Sequence, residues 1–193
     1  MDTPGHADFG GEVERIMHMV DGVLLVVDAY EGTMPQTRFV LKKALAAHVK
    51  PIVVINKVDR PVVRIQEVMD EVLELFMELG ADDNQLDFPT VFVSALNGTS
   101  SLDPDISTQV PNMDCLFDMI INEIPAPAVD VGGGLQLQPA LLDYNDYVGR
   151  IGIGRIQRGS IKVNENVVCL RADGSKTQFR VQKLFSYLGM HRF

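Results

Sequence analysis

Two short runs carry residue types that could do chemistry together. Asn56-Lys57-Val58-Asp59 follows the apolar stretch Pro51-Ile52-Val53-Val54-Ile55. A carboxylate offers two acceptors in one plane. Guanine presents two adjacent donors, its ring N–H and its amino group, an arrangement that adenine's edge lacks. Asp59 can accept both, and charge-assisted hydrogen bonds of this kind contribute roughly 1.5–3 kcal/mol each. Lys57 can lay its aliphatic stem over a base plane, and Asn56 can tie neighbouring loops together through its amide. An ordinary surface turn after a strand carries the same letters, so the tetrapeptide alone leaves both readings open. Ser94-Ala95-Leu96 closes the next apolar run, and a backbone N–H there could meet the guanine carbonyl.

The second run is Asp2-Thr3-Pro4-Gly5-His6. Asp2 could orient a magnesium-bound water, because magnesium prefers oxygen ligands and keeps several waters. Gly5 lets a backbone N–H approach a terminal phosphate closely. His6 could position an attacking water, with phosphates and metal carrying the charge. Asp-Thr-Pro-Gly is also a common turn, and both readings stand.

The elements that must position these residues follow from periodicity. Gly11 to Val20 suits a short helix with Val13, Ile16, Met17 and Val20 on one face. Gly22 to Ala29 is apolar almost throughout, the pattern of a parallel strand covered on both faces. Pro35 can open a helix running to about His48. Pro51 to Asn56 is a second buried strand, and Arg64 to Leu79 is an amphipathic helix stopped by Gly80. Thr90 to Ser94 is a third strand, Asn97 to Met113 reads as a loop, and Asp114 to Glu123 as a last helix. Such alternation predicts an α/β domain with a parallel sheet, whose ligands bind at the carboxyl ends of the strands.

The character changes at the stiff Pro125-Ala126-Pro127. Leu135 to Tyr144, Val148 to Ile156, Ser160 to Val163, Asn166 to Arg171 and Gln178 to Leu184 are strand-like and punctuated by glycine, which suggests a β-barrel. The expected division is residues 1–127 and 128–193.

Composition narrows the function classes. Lysine and arginine total 17 against 26 acids, a net charge of −9, so the chain is a poor general binder of phosphate backbones and would meet nucleic acid only through a local patch. Arg150, Arg155, Arg158, Lys162, Arg171, Lys176, Arg180 and Lys183 could form one, or could simply solvate strand faces. No apolar run reaches the roughly 18–20 residues of a membrane span, and the start lacks a signal-peptide pattern. The reading is a cytoplasmic protein with no membrane or DNA partner. Cys115 and Cys169 lie far apart without Cys or His at metal spacing, and are expected to be buried free thiols.

These motifs, in this order, resemble three guanine-nucleotide motifs of translational GTPases. The runs Gly5-His6-Ala7-Asp8-Phe9-Gly10-Gly11-Glu12-Val13-Glu14-Arg15, Ser94-Ala95-Leu96-Asn97-Gly98 and Leu142 to Ile156 are similar to the BipA/TypA group over essentially the whole chain. The resemblance implies a P-loop GTPase domain with a doubly wound parallel sheet, here partial. A truncated elongation-factor-type β-barrel would follow it. It implies GTP or GDP with Mg2+ as cofactors and the ribosome, both rRNA and ribosomal proteins, as partner. By position, Asn56 and Asp59 read guanine, Lys57 stacks, and Ser94, Ala95 and Leu96 complete the base pocket. Asp2 and Gly5 address magnesium and the γ-phosphate, His6 positions water, and Gly10 to Met19 is the mobile switch helix.

The phosphate loop Gly-x-x-x-x-Gly-Lys-Ser/Thr occurs nowhere in the 193 residues. The expectation is a fragment that keeps base recognition, lacks the phosphate loop and the C-terminal domains, binds GTP very weakly and does not hydrolyse it. An open apolar edge beside Gly22 to Ala29 would favour self-association. The alternatives are a non-catalytic ribosome- or RNA-binding fragment, or another translational GTPase of elongation factor G or LepA type.

Overall fold

The computed structural model describes residues 10–128, 130–188 and 191–192. The chain divides into two compact units, residues 1–127 and 128–193. Asp2, Gly5 and His6 lie outside the described residues, whereas the proposed switch segment Gly10 to Met19 lies within them and is helical over Gly10–Met17.

The first unit is an α/β layer structure. Strands β1 (Gly22–Asp28), β2 (Lys50–Asn56) and β3 (Thr90–Ser94) are parallel, in the order β1-β2-β3. A short β4 (Thr99–Ser101) adds antiparallel to β3. This strand interrupts the expected loop Asn97 to Met113. Its polar letters read as a loop because Ser100 and Ser101 are buried through hydrogen bonds: Ser100 Oγ donates to the Asn112 carbonyl at 2.8 Å, and Ser101 Oγ meets Thr108 Oγ1 at 2.6 Å.

Helices cover the sheet as their periodicity dictates. Helix α1 is Gly10–Met17, α2 is Pro35–Ala46, α3 is Ile65–Glu78, α4 is the single turn Asp83–Leu86, and α5 is Asp114–Glu123. Pro35 opens α2, and the Thr37 hydroxyl accepts the Met34 N–H at 3.2 Å. Gly80, at φ +76°, ends α3, with its N–H donating to the Met77 carbonyl and that of Ala81 to the Phe76 carbonyl. Helix α4 escaped the periodicity because a single turn has none. Its signature is a capping box, with Gln85 N–H on Asp82 Oδ1 at 2.9 Å and Asp82 N–H on Gln85 Oε1 at 3.1 Å.

One sheet face buries Leu25, Val27, Val53, Ile55 and Phe92 against Leu41, Leu45, Val68, Val72, Leu75 and Phe76 of α2 and α3. The other buries Ile52, Val54, Val91 and Val93 against Leu116 of α5. β1 is not covered on both faces as its composition suggests. Leu24 and Val26 are 44% and 56% exposed, so that face of β1 is open along its middle.

The second unit pairs β5 (Gln136–Asn145) with β6 (Gly149–Arg158), β7 (Asn166–Leu170) with β8 (Lys176–Arg180), and β9 (Tyr187–Leu188) with β10 (His191–Arg192). All three pairs are antiparallel and separate, and the described residues form no closed barrel. Ser160 to Val163 is not a strand; it leads into a turn where Lys162 N–H donates to Glu165 Oε2 at 2.8 Å. Most side chains of β7 and β8 are exposed, Cys169 among them, so that thiol is free but not buried, whereas Cys115 is half-buried and free.

Candidate functional site

The register of the sheet brings the candidate residues to one edge. Asp28 ends β1 opposite Asn56 at the end of β2, and Asn56 in turn lies opposite Val93 of β3. Three strand ends therefore release their loops side by side at the carboxyl edge. Buried Val58 pins the second loop, its N–H donating to the Val93 carbonyl at 3.3 Å.

Asn56 ties these loops together. Its Oδ1 accepts the Lys57 N–H at 2.7 Å and the Ala95 N–H at 3.1 Å, while its carbonyl accepts the Ala29 N–H at 2.8 Å. Ser94 is buried and its Oγ accepts the Asn97 N–H at 3.2 Å, which closes the turn. The Ala95 N–H is thus committed within the protein. The Leu96 N–H has no acceptor among the described residues, and its side chain is exposed. Asp59 is exposed, and its carboxylate makes no hydrogen bond or ion pair among the described residues.

Asp28 was not among the sequence candidates, although it sits at the centre of this edge. Its Oδ1 accepts the N–H groups of Tyr30 at 2.9 Å and Glu31 at 3.2 Å. Its Oδ2 lies 2.7 Å from Lys57 Nζ and 3.4 Å from Arg60 Nη1. The Lys57 contact is close but poorly directed, so Oδ2 has electrostatic partners and no well-aligned donor. Burial pushes the Asp28 carboxyl up, but the Lys57 ammonium and the two N–H donors outweigh it and hold the carboxyl at about 2. The one available signal was an aspartate ending an otherwise apolar strand. Lys57 itself has φ +66°, the left-handed region that is uncommon for a residue with a long side chain.

The loop after β1 is braced from α3. Arg64 Nε donates to the Tyr30 carbonyl at 2.6 Å and Nη2 to the Glu31 carbonyl at 3.1 Å, while Nη1 pairs with Glu71. Glu71 Oε2 accepts the Thr33 N–H at 3.2 Å. Burial raises the Glu71 carboxyl, and Arg64 and Thr33 together lower it below its usual range.

Residues 1–126 match the family described as "Elongation factor Tu GTP binding domain". The chain belongs to that family. Relatives named "Large ribosomal subunit assembly factor BipA" match along its whole length. The protein of Bacillus subtilis (strain 168) is 60% identical over 192 residues, 100% of this chain and 31% of that protein. Those of Salmonella typhimurium (strain LT2) and Haemophilus influenzae are 55% and 53% identical, also over 100% of this chain and 31% of theirs. The chain thus spans about a third of the length of the curated relatives it matches. Among the described residues no group of three or more His, Cys, Asp or Glu could hold a metal, and no helix is long and apolar enough to cross a membrane.

Proposed function

We propose that the loops at the carboxyl edge of β1, β2 and β3 read the base of a guanine nucleotide, within a cytoplasmic, ribosome-associated GTPase of the BipA type. One observation carries this reading. Asn56 binds the Lys57 and Ala95 N–H groups at once, and so holds two loops in register while the Asp59 carboxylate stays free beside them. In this site Asp59 accepts the guanine ring N–H and amino group, the Lys57 stem covers the ring, and the Leu96 N–H, rather than that of Ala95, is the donor left for the carbonyl. Ser94 supports the turn and does not touch the base.

The relatives' name speaks of assembly of the large ribosomal subunit. For this chain the ribosome is the proposed partner, met by the basic residues of the second unit, whose strands would belong to a β-barrel. Asp2 and Gly5 would address magnesium and the terminal phosphate, and His6 the attacking water.

Amide NMR of the chain titrated with millimolar GDP and, in parallel, ADP tests the base reading. The expected result is selective shifts at residues 56–59 and 94–97 with GDP. Equal responses to both nucleotides, or shifts confined to other regions, would remove the base site from this edge.

A further inference from the structure

Asp59 stands between two cations in sequence, Lys57 two residues before it and Arg60 next to it. Either could fold back on an exposed carboxylate, and a carboxylate paired in that way would offer the base fewer free lone pairs. In the structure neither does. Both turn to the same partner, Asp28, at the end of the adjacent strand.

We infer that Asp28 is a positioning residue for base recognition: it draws Lys57 and Arg60 onto one carboxylate and so keeps Asp59 free to accept guanine. Three features make Asp28 the stronger partner. Its side chain is only 13% exposed, so its field is less screened by water than that of exposed Asp59. Its Oδ1 is fixed by the Tyr30 and Glu31 N–H groups, which leaves Oδ2 aimed at the cations. The loop carrying those N–H groups is itself clamped by Arg64 and Glu71. Anchoring the ammonium of Lys57 also stretches its stem between a fixed backbone and a fixed anion, and a fixed stem is a better floor for a flat base than a mobile one. The left-handed backbone at Lys57 is held by the Asn56 side chain at one end and this ion pair at the other.

This inference rests on the proposed base reading, and its test separates the two. Asp28→Asn keeps the Oδ1 acceptor for Tyr30 and Glu31 and removes only the charge, so the fold is retained, as amide spectra would verify. Lysine-ammonium NMR of the nucleotide-free chain reads the pairing directly. The Lys57 ammonium should be protected from exchange in the wild type and in Asp59→Asn, and should lose that protection in Asp28→Asn. GDP affinity should fall about tenfold in Asp28→Asn, the scale of one lost charge-assisted contact. In a Lys57→Gln, Arg60→Gln background, with no cation left to divert, Asp28→Asn should cost nothing further. Protection that survives Asp28→Asn, or that depends on Asp59 instead, overturns the inference. So does unchanged GDP affinity in Asp28→Asn when Asp59→Asn abolishes binding. If Asp59→Asn leaves GDP binding intact, the base reading itself falls, while the ammonium spectrum still decides whether Asp28 holds Lys57.

Discussion

The two units use strands in opposite ways. In the first, β2 reads Lys-Pro-Ile-Val-Val-Ile-Asn and five consecutive side chains from Pro51 to Ile55 are buried. In the second, β7 and β8 pair with each other and leave Val168, Leu170 and Phe179 more than half exposed. Among the described residues every buried hydrophobic side chain but Val181 lies in the first unit. Isolated two-stranded ladders are marginal in water and gain stability from neighbours that cover a face. A sheet sandwiched between helices fixes where its strands end, and with them the loops. The proposed base site lies at the edge of the first unit, where the strand ends are held in this way.

The contrast can be broken by mutation. Phe76 is fully buried between α3 and the sheet, so Phe76→Ala should destabilise the first unit by about 3–5 kcal/mol in urea denaturation. Phe179→Ala, at a side chain 51% exposed, should cost less than about 1 kcal/mol. Similar costs at the two positions would mean that the second unit has a core these ladders do not reveal.

The braces of the site can be sharpened in the same way. Gly32 has φ +75°, and a Cβ there would lie 2.1 Å from Glu71 Oε2 and 2.7 Å from Arg64 Nη2. Gly32→Ala should cost about 2–3 kcal/mol, combining left-handed strain with a displaced clamp. Gly80, at φ +76° with open space around it, isolates the strain alone and should cost about 1 kcal/mol as Gly80→Ala. Equal losses in thermal unfolding would show that the clamp contributes nothing.

Acid should loosen the site before it loosens the hairpins. The Asp28 carboxyl lies at about 2 in the fold against an ordinary value of 3.8. A depressed carboxyl stabilises the fold above its unfolded value and loses that contribution as pH falls through the folded one. Between pH about 4 and 2 the first unit should lose about 1–2 kcal/mol that Asp28→Asn has already forfeited. A wild type and variant with parallel acid profiles would contradict the ion pair.

Much of this arrangement was legible in the residues. Thr90–Ser94 and Asp114–Glu123 fall where periodicity puts them, and the Asn56 to Asp59 run sits at a strand's carboxyl end as its apolar prelude requires. What stayed hidden depended on neighbours. The exposed face of β1 is invisible in Gly22 to Ala29, because composition cannot say which faces are covered. The same holds for the second unit, where glycine-punctuated strands suggested a barrel and the described residues give separate ladders. Asp28 was missed because a lone aspartate carries no spacing signal; only the parallel register puts it beside Lys57. Sequence also could not tell which N–H of Ser94-Ala95-Leu96 is free, since that depends on where the Asn56 amide points.

The most direct test of base recognition exchanges one atom type at Asp59. Asp59→Asn replaces an acceptor with a donor, opposite the guanine amino group and in favour of the xanthine carbonyl. The chain should lose roughly a hundredfold or more in affinity for GDP, the scale of two charge-assisted hydrogen bonds, and gain affinity for xanthosine diphosphate. An unchanged preference for guanine in Asp59→Asn would contradict the account.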